Sequence, residues 1–108
     1  MTNEKEFVVD ILLELAKYKY NIEQPEEDAE EWVRELKKHE RNEEPMDLTE
    51  LYNRLSIETT LDRMVGILKK MDELDLVEAH YHGMSMLEVE ITENGLDYLQ
   101  NNISGKSN

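Results

Sequence analysis

The stretch Met46–Asn102, MDLTELYNRLSIETTLDRMVGILKKMDELDLVEAHYHGMSMLEVEITENGLDYLQNN, decides the fold. Its first part, 47–55, carries apolar residues on one helical face, and Ser56-Ile57 interrupts that pattern. A second apolar stripe with helical spacing runs from Leu61 to Met71. The spacing predicts two helices joined by a tight turn.

In the second half of the same stretch, the spacing of the apolar residues changes from helical to alternating. A hairpin of two short strands is predicted over 77–91, with its turn at Gly83. Thr92 then suits the N-cap of a closing helix, and Gly95 would permit close packing at the start of that helix. The chain is therefore expected to be an α+β domain, mostly helical.

Chain length and composition limit the possible size and class of this domain. A chain of 108 residues with 39% apolar content supports one modest core, assigned to 1–103, followed by a disordered polar tail at 104–108. The absence of cysteine excludes disulfides and thiolate metal sites. No secretory signal is visible, and the apolar segment 7–20 is too short and too charged to span a bilayer, so a cytoplasmic protein without a membrane partner is expected.

Charge is the feature that most limits the function. Acidic side chains outnumber basic ones by 26 to 12, which gives a formal net charge of -14. Non-specific affinity for DNA comes largely from Lys and Arg that neutralise phosphates. The acidic balance therefore argues against a nucleic-acid partner unless a local basic patch dominates.

The first predicted helix, 5–20, has two apolar stripes instead of one. A surface helix needs a single stripe, so this helix is expected to be buried on both sides. It either contacts a second copy of the chain or is a central helix covered by the chain's own inserted segment. For a homodimer or partner interface, the predicted contacts are Val9, Leu13, Tyr20, Trp32, Val33 and Leu36.

An acidic insertion, 21–45, separates this helix from the helix–turn–helix. Pro25 suits a helix start, and apolar residues at helical spacing include Trp32, the only tryptophan. The insertion is predicted to be an extra amphipathic helix. It packs on the domain body, or it is an arm that grips a partner.

Two segments carry a resemblance to a known superfamily. LTELYNRLSIETTLDRMVGILKKMDELDLVEA resembles the supporting helix, turn and recognition helix of winged helix-turn-helix proteins. ITENGLDYLQNN resembles the closing strand and helix of multidrug-resistance or phenolic-acid-type regulators in that superfamily. The resemblance implies a winged helix with one additional helix inserted, duplex DNA as the ligand, transcription regulation as the role and a homodimer as the assembly.

The resemblance also implies where DNA contacts would lie. Leu61, Val65 and Leu68 would anchor the recognition helix to the core. The N-terminal part of such a helix meets base edges in the major groove. The predicted DNA contacts are Thr59, Thr60, Arg63, Gly66, Lys69 and Lys70 on the recognition helix, with His80, His82, Gly83 and Ser85 on the wing.

The wing disagrees with that expectation. It carries no Lys or Arg, because none occurs between Lys70 and Lys106. An alternative function is therefore an acidic winged-helix interaction module that meets a basic protein partner and does not bind DNA. Fold alone does not choose between them, since one fold hosts many functions.

Enzymatic and metal chemistry have weaker support. No nucleophile–base arrangement or phosphate loop stands out, so the protein is not expected to be an enzyme or to hold a cofactor. His80 and His82 alternate on one strand face with Glu78, and Glu88 or Glu90 would approach from the paired strand. Such a set suits zinc or nickel, but two histidines on the solvent face of a wing are the simpler interpretation, and no metal is expected.

Overall fold

The computed structural model describes residues 4–19, 44–55 and 57–106, with backbone alone for 103–106. The helix predicted within 21–45 lies outside the described residues, except for Glu44 and Pro45. The predicted contacts Tyr20, Trp32, Val33 and Leu36 lie outside them as well.

The described part contains four helices and three strands. In chain order they are α1 (Glu4–Lys19), β1 (Met46–Asp47), α2 (Leu48–Arg54), α3 (Leu61–Glu73), β2 (Val77–His82), β3 (Ser85–Ile91) and α4 (Glu93–Lys106). The strands form one antiparallel sheet in the order β1-β3-β2. An α+β, mostly helical fold is confirmed. Strand β1 has only two residues, too few for an alternating pattern to predict it.

The hairpin has its turn where the sequence predicts it. Gly83 has a φ of 65°, which glycine adopts without steric cost in the first position of a tight hairpin turn. His80 pairs with Glu88, whereas Tyr81 pairs with Met86, so Leu87 is an extra residue in β3. This β-bulge changes which side chains share a face near the tip of the hairpin.

Helix α1 lies at the centre of the core. Its residues Ile11, Leu12 and Ala16 have no exposed surface, and Val9 is also buried. Leu13 is half-buried against the same core. Whether a second copy or the inserted segment covers α1 stays a prediction, because 21–43 lie outside the described residues.

Polar contacts hold both ends of α2. At its start, Asp47 caps the helix by accepting hydrogen bonds from the backbone N–H groups of Thr49 and Glu50. In the turn that follows, the Thr59 carbonyl accepts from the Tyr52 hydroxyl at 2.9 Å. From α1, a carboxylate oxygen of Asp10 accepts from the Ile57 N–H at 3.4 Å. The last two bonds connect the turn before α3 to α2 and α1.

The predicted anchoring of α3 needs a correction. Leu61 is 43% exposed, because it is the first residue of α3 and lies at the solvent end of the helix. Val65 is half-buried, and Leu68 is fully buried as predicted. The core side of α3 is formed by Met64, Ile67, Leu68 and Met71.

The start of α4 confirms the predicted cap and close packing. The Gly95 N–H donates to the Thr92 hydroxyl at 3.0 Å. A Cβ on Gly95 would lie against the Leu76 carbonyl oxygen and 2.7 Å from a side-chain carbon of Ile91. Helix α4 continues to Lys106, so 104–106, expected in a disordered tail, are helical.

Within the described ranges, no helix combines the length and the apolar character that crossing a bilayer requires.

Candidate functional site

The solvent face of α3 collects most of the exposed cations of the described chain. In the described ranges, five Lys and Arg side chains are exposed: Lys5, Arg54, Arg63, Lys69 and Lys70. Three of these five lie on α3. Asp62, Asp72 and Glu73 are exposed on the same helix, so α3 presents three acidic and three basic side chains and its exposed surface is mixed in charge.

Gly66 lies at the centre of this face. It is exposed, and a Cβ built on it would meet nothing within 4 Å. Glycine in the interior of a helix costs about 1 kcal/mol relative to alanine. No packing contact explains this cost, because a side chain would fit at position 66. The fold therefore does not require a glycine there.

Two of the cations on α3 contact the first turn of α1. The Arg63 guanidinium lies over the Phe7 ring, 5.7 Å from its centroid. The Lys70 ammonium is 3.5 Å from a carboxylate oxygen of Glu4, and both side chains are more than half exposed. An ion pair that exposed contributes little, so it leaves Lys70 able to contact a ligand.

The two threonines before α3 have different roles from those predicted. Thr60 is exposed and caps α3 by accepting from the Arg63 N–H at 3.2 Å. The Thr59 hydroxyl oxygen is buried and has no hydrogen-bond partner among the described residues. Thr59 is therefore not available for a base or phosphate in this conformation, because its hydroxyl points away from solvent.

The hairpin is exposed as a wing would be, but its surface is apolar at the tip. His82, Gly83 and Ser85 are exposed, as predicted. Met84 is 98% exposed, and Tyr81 and Leu87 are about half exposed. Sequence reasoning missed this apolar tip, because Leu87 faces solvent only through the β-bulge.

A polar cluster occupies the outer face of the sheet. The Glu90 carboxylate contacts Lys19 Nζ of α1 through Oε1 at 3.0 Å and His80 Nε2 through Oε2 at 3.0 Å. Lys19 also donates to the Ile91 carbonyl at 3.2 Å. Glu78 Oε2 is 3.5 Å from the same His80 nitrogen. The cluster joins the end of α1 to both strands of the hairpin.

The cluster affects the ionisation of its central residue. Burial acts to raise the pKa of Glu90, but the hydrogen bonds and charges of Lys19 and His80 outweigh it, so the pKa is lowered from its usual value. Glu90 is therefore ionised at neutral pH. The participation of Lys19 was not predicted, since no sequence pattern connects residues 71 positions apart.

The cluster also corrects the expected metal-binding set. Within the described ranges, potential ligand atoms of Glu78, His80 and Glu90 all lie within 4.8 Å of one another. His82 is not in this group. His82 pairs with Ser85 near the turn, whereas Glu90 pairs with Glu78 at the other end of the hairpin, so His82 is too far along β2 to join the cluster.

An open apolar cleft lies beside Lys70, at the edge of the solvent face of α3. It has a volume of about 240 Å³, lies between α1, α3 and α4, and is lined mainly by Val8, Ile67, Met71, Leu76 and Tyr98. Leu74 is 69% exposed beside it. Among the described residues, large apolar side chains are exposed beside this cleft, at the hairpin tip and at Leu61.

Comparisons with known proteins identify no relative. No family model, no curated protein and no solved structure matches the chain.

Proposed function

We propose that the chain is a winged helix-turn-helix regulator that presents α3 to the major groove of duplex DNA. The observation that carries the proposal is the composition of the α3 face: Arg63, Lys69 and Lys70 are exposed around Gly66, for which the fold has no need. A helix face without a Cβ at its centre permits closer approach to a ligand, and the surrounding cations suit phosphates.

The arrangement of elements around α3 supports the same proposal. Helix α2, a tight turn and α3 are followed by an antiparallel hairpin, and β1 pairs with β3 to complete a small sheet. This order is compatible with a winged helix. Guanidinium groups pair with guanine in the major groove, and ammonium groups contact phosphates as point charges.

The test uses substitutions that respect the packing. Because Arg63 covers Phe7, Arg63→Gln is preferable to Arg63→Ala, which would also expose the ring. Wild-type protein is incubated with fragmented genomic DNA at low salt, and the retained fragments are sequenced. We expect a few enriched sites, and we expect Arg63→Gln to lose them.

Lys69→Gln gives a second, quantitative readout. If Lys69 contacts a phosphate, the slope of log K against log salt should fall by about 0.9 in this variant. Arg54→Gln is the matched control, because Arg54 is exposed on α2 and pairs with Glu50 at 2.9 Å. Equal losses in the Arg54 and Lys69 variants would contradict a contact face on α3.

A homodimer is part of this proposal, since a two-fold regulator reads two half-sites. The exposed Leu74 beside the apolar cleft supports a further contact at this place. Sedimentation equilibrium of wild type and Leu74→Ser is the test. A wild-type chain that stays monomeric at high concentration would contradict it.

The hairpin favours a second function, an acidic interaction module for a basic protein. Its tip exposes Tyr81, Met84 and Leu87, and its strands carry Glu78, Glu88 and Glu90 without any Lys or Arg. Apolar residues rimmed by charge are typical of protein interfaces. Failure of the folded wild type to retain any DNA would favour this function. Loss of a captured partner in the Met84→Ser variant would then identify the hairpin tip as the contact.

A further inference from the structure

We propose that Glu78, His80 and Glu90 form a binding site for a divalent transition-metal ion, with zinc as the best match. The three residues offer one imidazole nitrogen and two carboxylate oxygens, which are ligands that zinc takes in proteins. They come from two adjacent strands, so a rigid hydrogen-bonded ladder holds them together. The site is independent of the proposed α3 interface.

The separations of the ligand atoms fit an ion between them. Zinc bonds to nitrogen and oxygen are about 2.0 Å long, so ligand atoms around a tetrahedral ion lie about 3.3 Å apart. His80 Nε2 is 3.0 Å from Glu90 Oε2 and 3.5 Å from Glu78 Oε2. All three atoms lie within 4.8 Å of one another. Small side-chain rotations suffice to surround an ion.

Lys19 has a supporting position in this arrangement. Its ammonium group binds Glu90 Oε1, and His80 contacts the other oxygen, so Oε2 is the atom that faces the proposed ion. Hydrogen bonds to the remaining atoms of a ligand fix its orientation. With one lysine and two carboxylates the net charge of the cluster is still negative, which favours a cation.

Three protein ligands leave at least one coordination position for water or a further group. Sites with an open position suit an exchangeable ion, whereas structural zinc sites have four protein ligands. Glu78 is the most exposed of the three, with 64% of its side chain accessible. The open side of the site therefore faces solvent.

Isothermal titration of chelator-treated full-length protein with Zn²⁺ tests the proposal. We expect one saturable site in the wild type. His80→Gln should weaken binding by at least about tenfold, because it removes the nitrogen ligand. His82→Gln is the matched control, two residues along the same strand and outside the cluster, and should bind as the wild type does.

Glu78→Gln provides a variant that is safe for the fold, since its side chain is mostly exposed. It should also lose affinity while its circular dichroism stays unchanged. Substituting Co²⁺ adds a spectroscopic readout, because its visible absorption bands report nitrogen and oxygen coordination and should disappear in His80→Gln. Zinc binding that is absent in the wild type, or that survives both His80→Gln and Glu78→Gln, would overturn the proposal.

Discussion

Helices α3 and α4 begin in the same way, yet the fold uses the two beginnings differently. In α3 the Thr60 hydroxyl accepts from the Arg63 N–H, and in α4 the Thr92 hydroxyl accepts from the Gly95 N–H, three residues along in each case. The α4 cap lies against the loop before β2, whereas the α3 cap lies in solvent. The same local chemistry thus serves packing in one helix and leaves a surface open in the other.

The two helical glycines show the same difference. Gly95 is buried, and any side chain there would overlap the Leu76 carbonyl. Gly66 is exposed, with no atom within 4 Å of a built Cβ. Packing accounts for Gly95. Gly66 lowers stability and has no packing role, so we interpret it as a contact point for a ligand. This comparison makes α3 the stronger candidate for function.

Gly95→Ala should have the largest effect. Its methyl group would push α4 away from the Leu76 carbonyl, which also accepts a hydrogen bond from the Thr92 N–H at 3.2 Å. Overpacking typically costs 1–3 kcal/mol, and displaced backbone adds to it, so we expect a loss of about 3 kcal/mol in the free energy of unfolding. Urea denaturation followed by circular dichroism measures it. A variant as stable as the wild type would refute the close packing at this point.

The threonine caps should differ less. Thr92→Ala removes both the cap and a hydrogen bond from the Thr92 hydroxyl to the Asp75 carbonyl, so a loss of about 2 kcal/mol is expected. Thr60→Ala removes a solvent-exposed cap alone and should cost about 0.5–1 kcal/mol. Urea denaturation of the pair gives the difference directly. Equal losses would mean that the additional hydrogen bond from the Thr92 hydroxyl to the Asp75 carbonyl adds nothing.

Sequence reasoning succeeded where the information is local. The Thr92 cap, the Gly83 turn and the need for Gly95 all follow from residues within a few positions of one another, whereas strand β1 was not predicted. Periodicity alone did not show that Leu61 lies at the solvent end of its helix, where neighbouring elements do not cover it.

The candidate sites depended more on tertiary contacts. Arg63, Gly66, Lys69 and Lys70, which the resemblance places among the DNA contacts, are exposed, and their contact with DNA stays a prediction. The buried Thr59 hydroxyl, by contrast, results from how the turn closes against α2. His82 lies near the hairpin turn and so outside the polar cluster, and Lys19 joins the cluster through a contact that only the fold creates. Contacts between residues that are far apart in the sequence, such as Lys19 and Glu90, cannot be predicted from a single sequence.

Gly66→Ala should change stability as little as Thr60→Ala does, but with the opposite sign, and it tests the proposed DNA contact directly. Because the site is exposed and helical, alanine should raise the free energy of unfolding by about 0.5–1 kcal/mol. If α3 lies against DNA, the added methyl group should nevertheless weaken binding to the selected sites by about tenfold, a cost of about 1.4 kcal/mol. A variant that is more stable but binds DNA more weakly would show that Gly66 serves DNA binding and not the stability of the fold. Undiminished binding would mean that Gly66 is not at the contact, and the interface would then have to be sought at the hairpin.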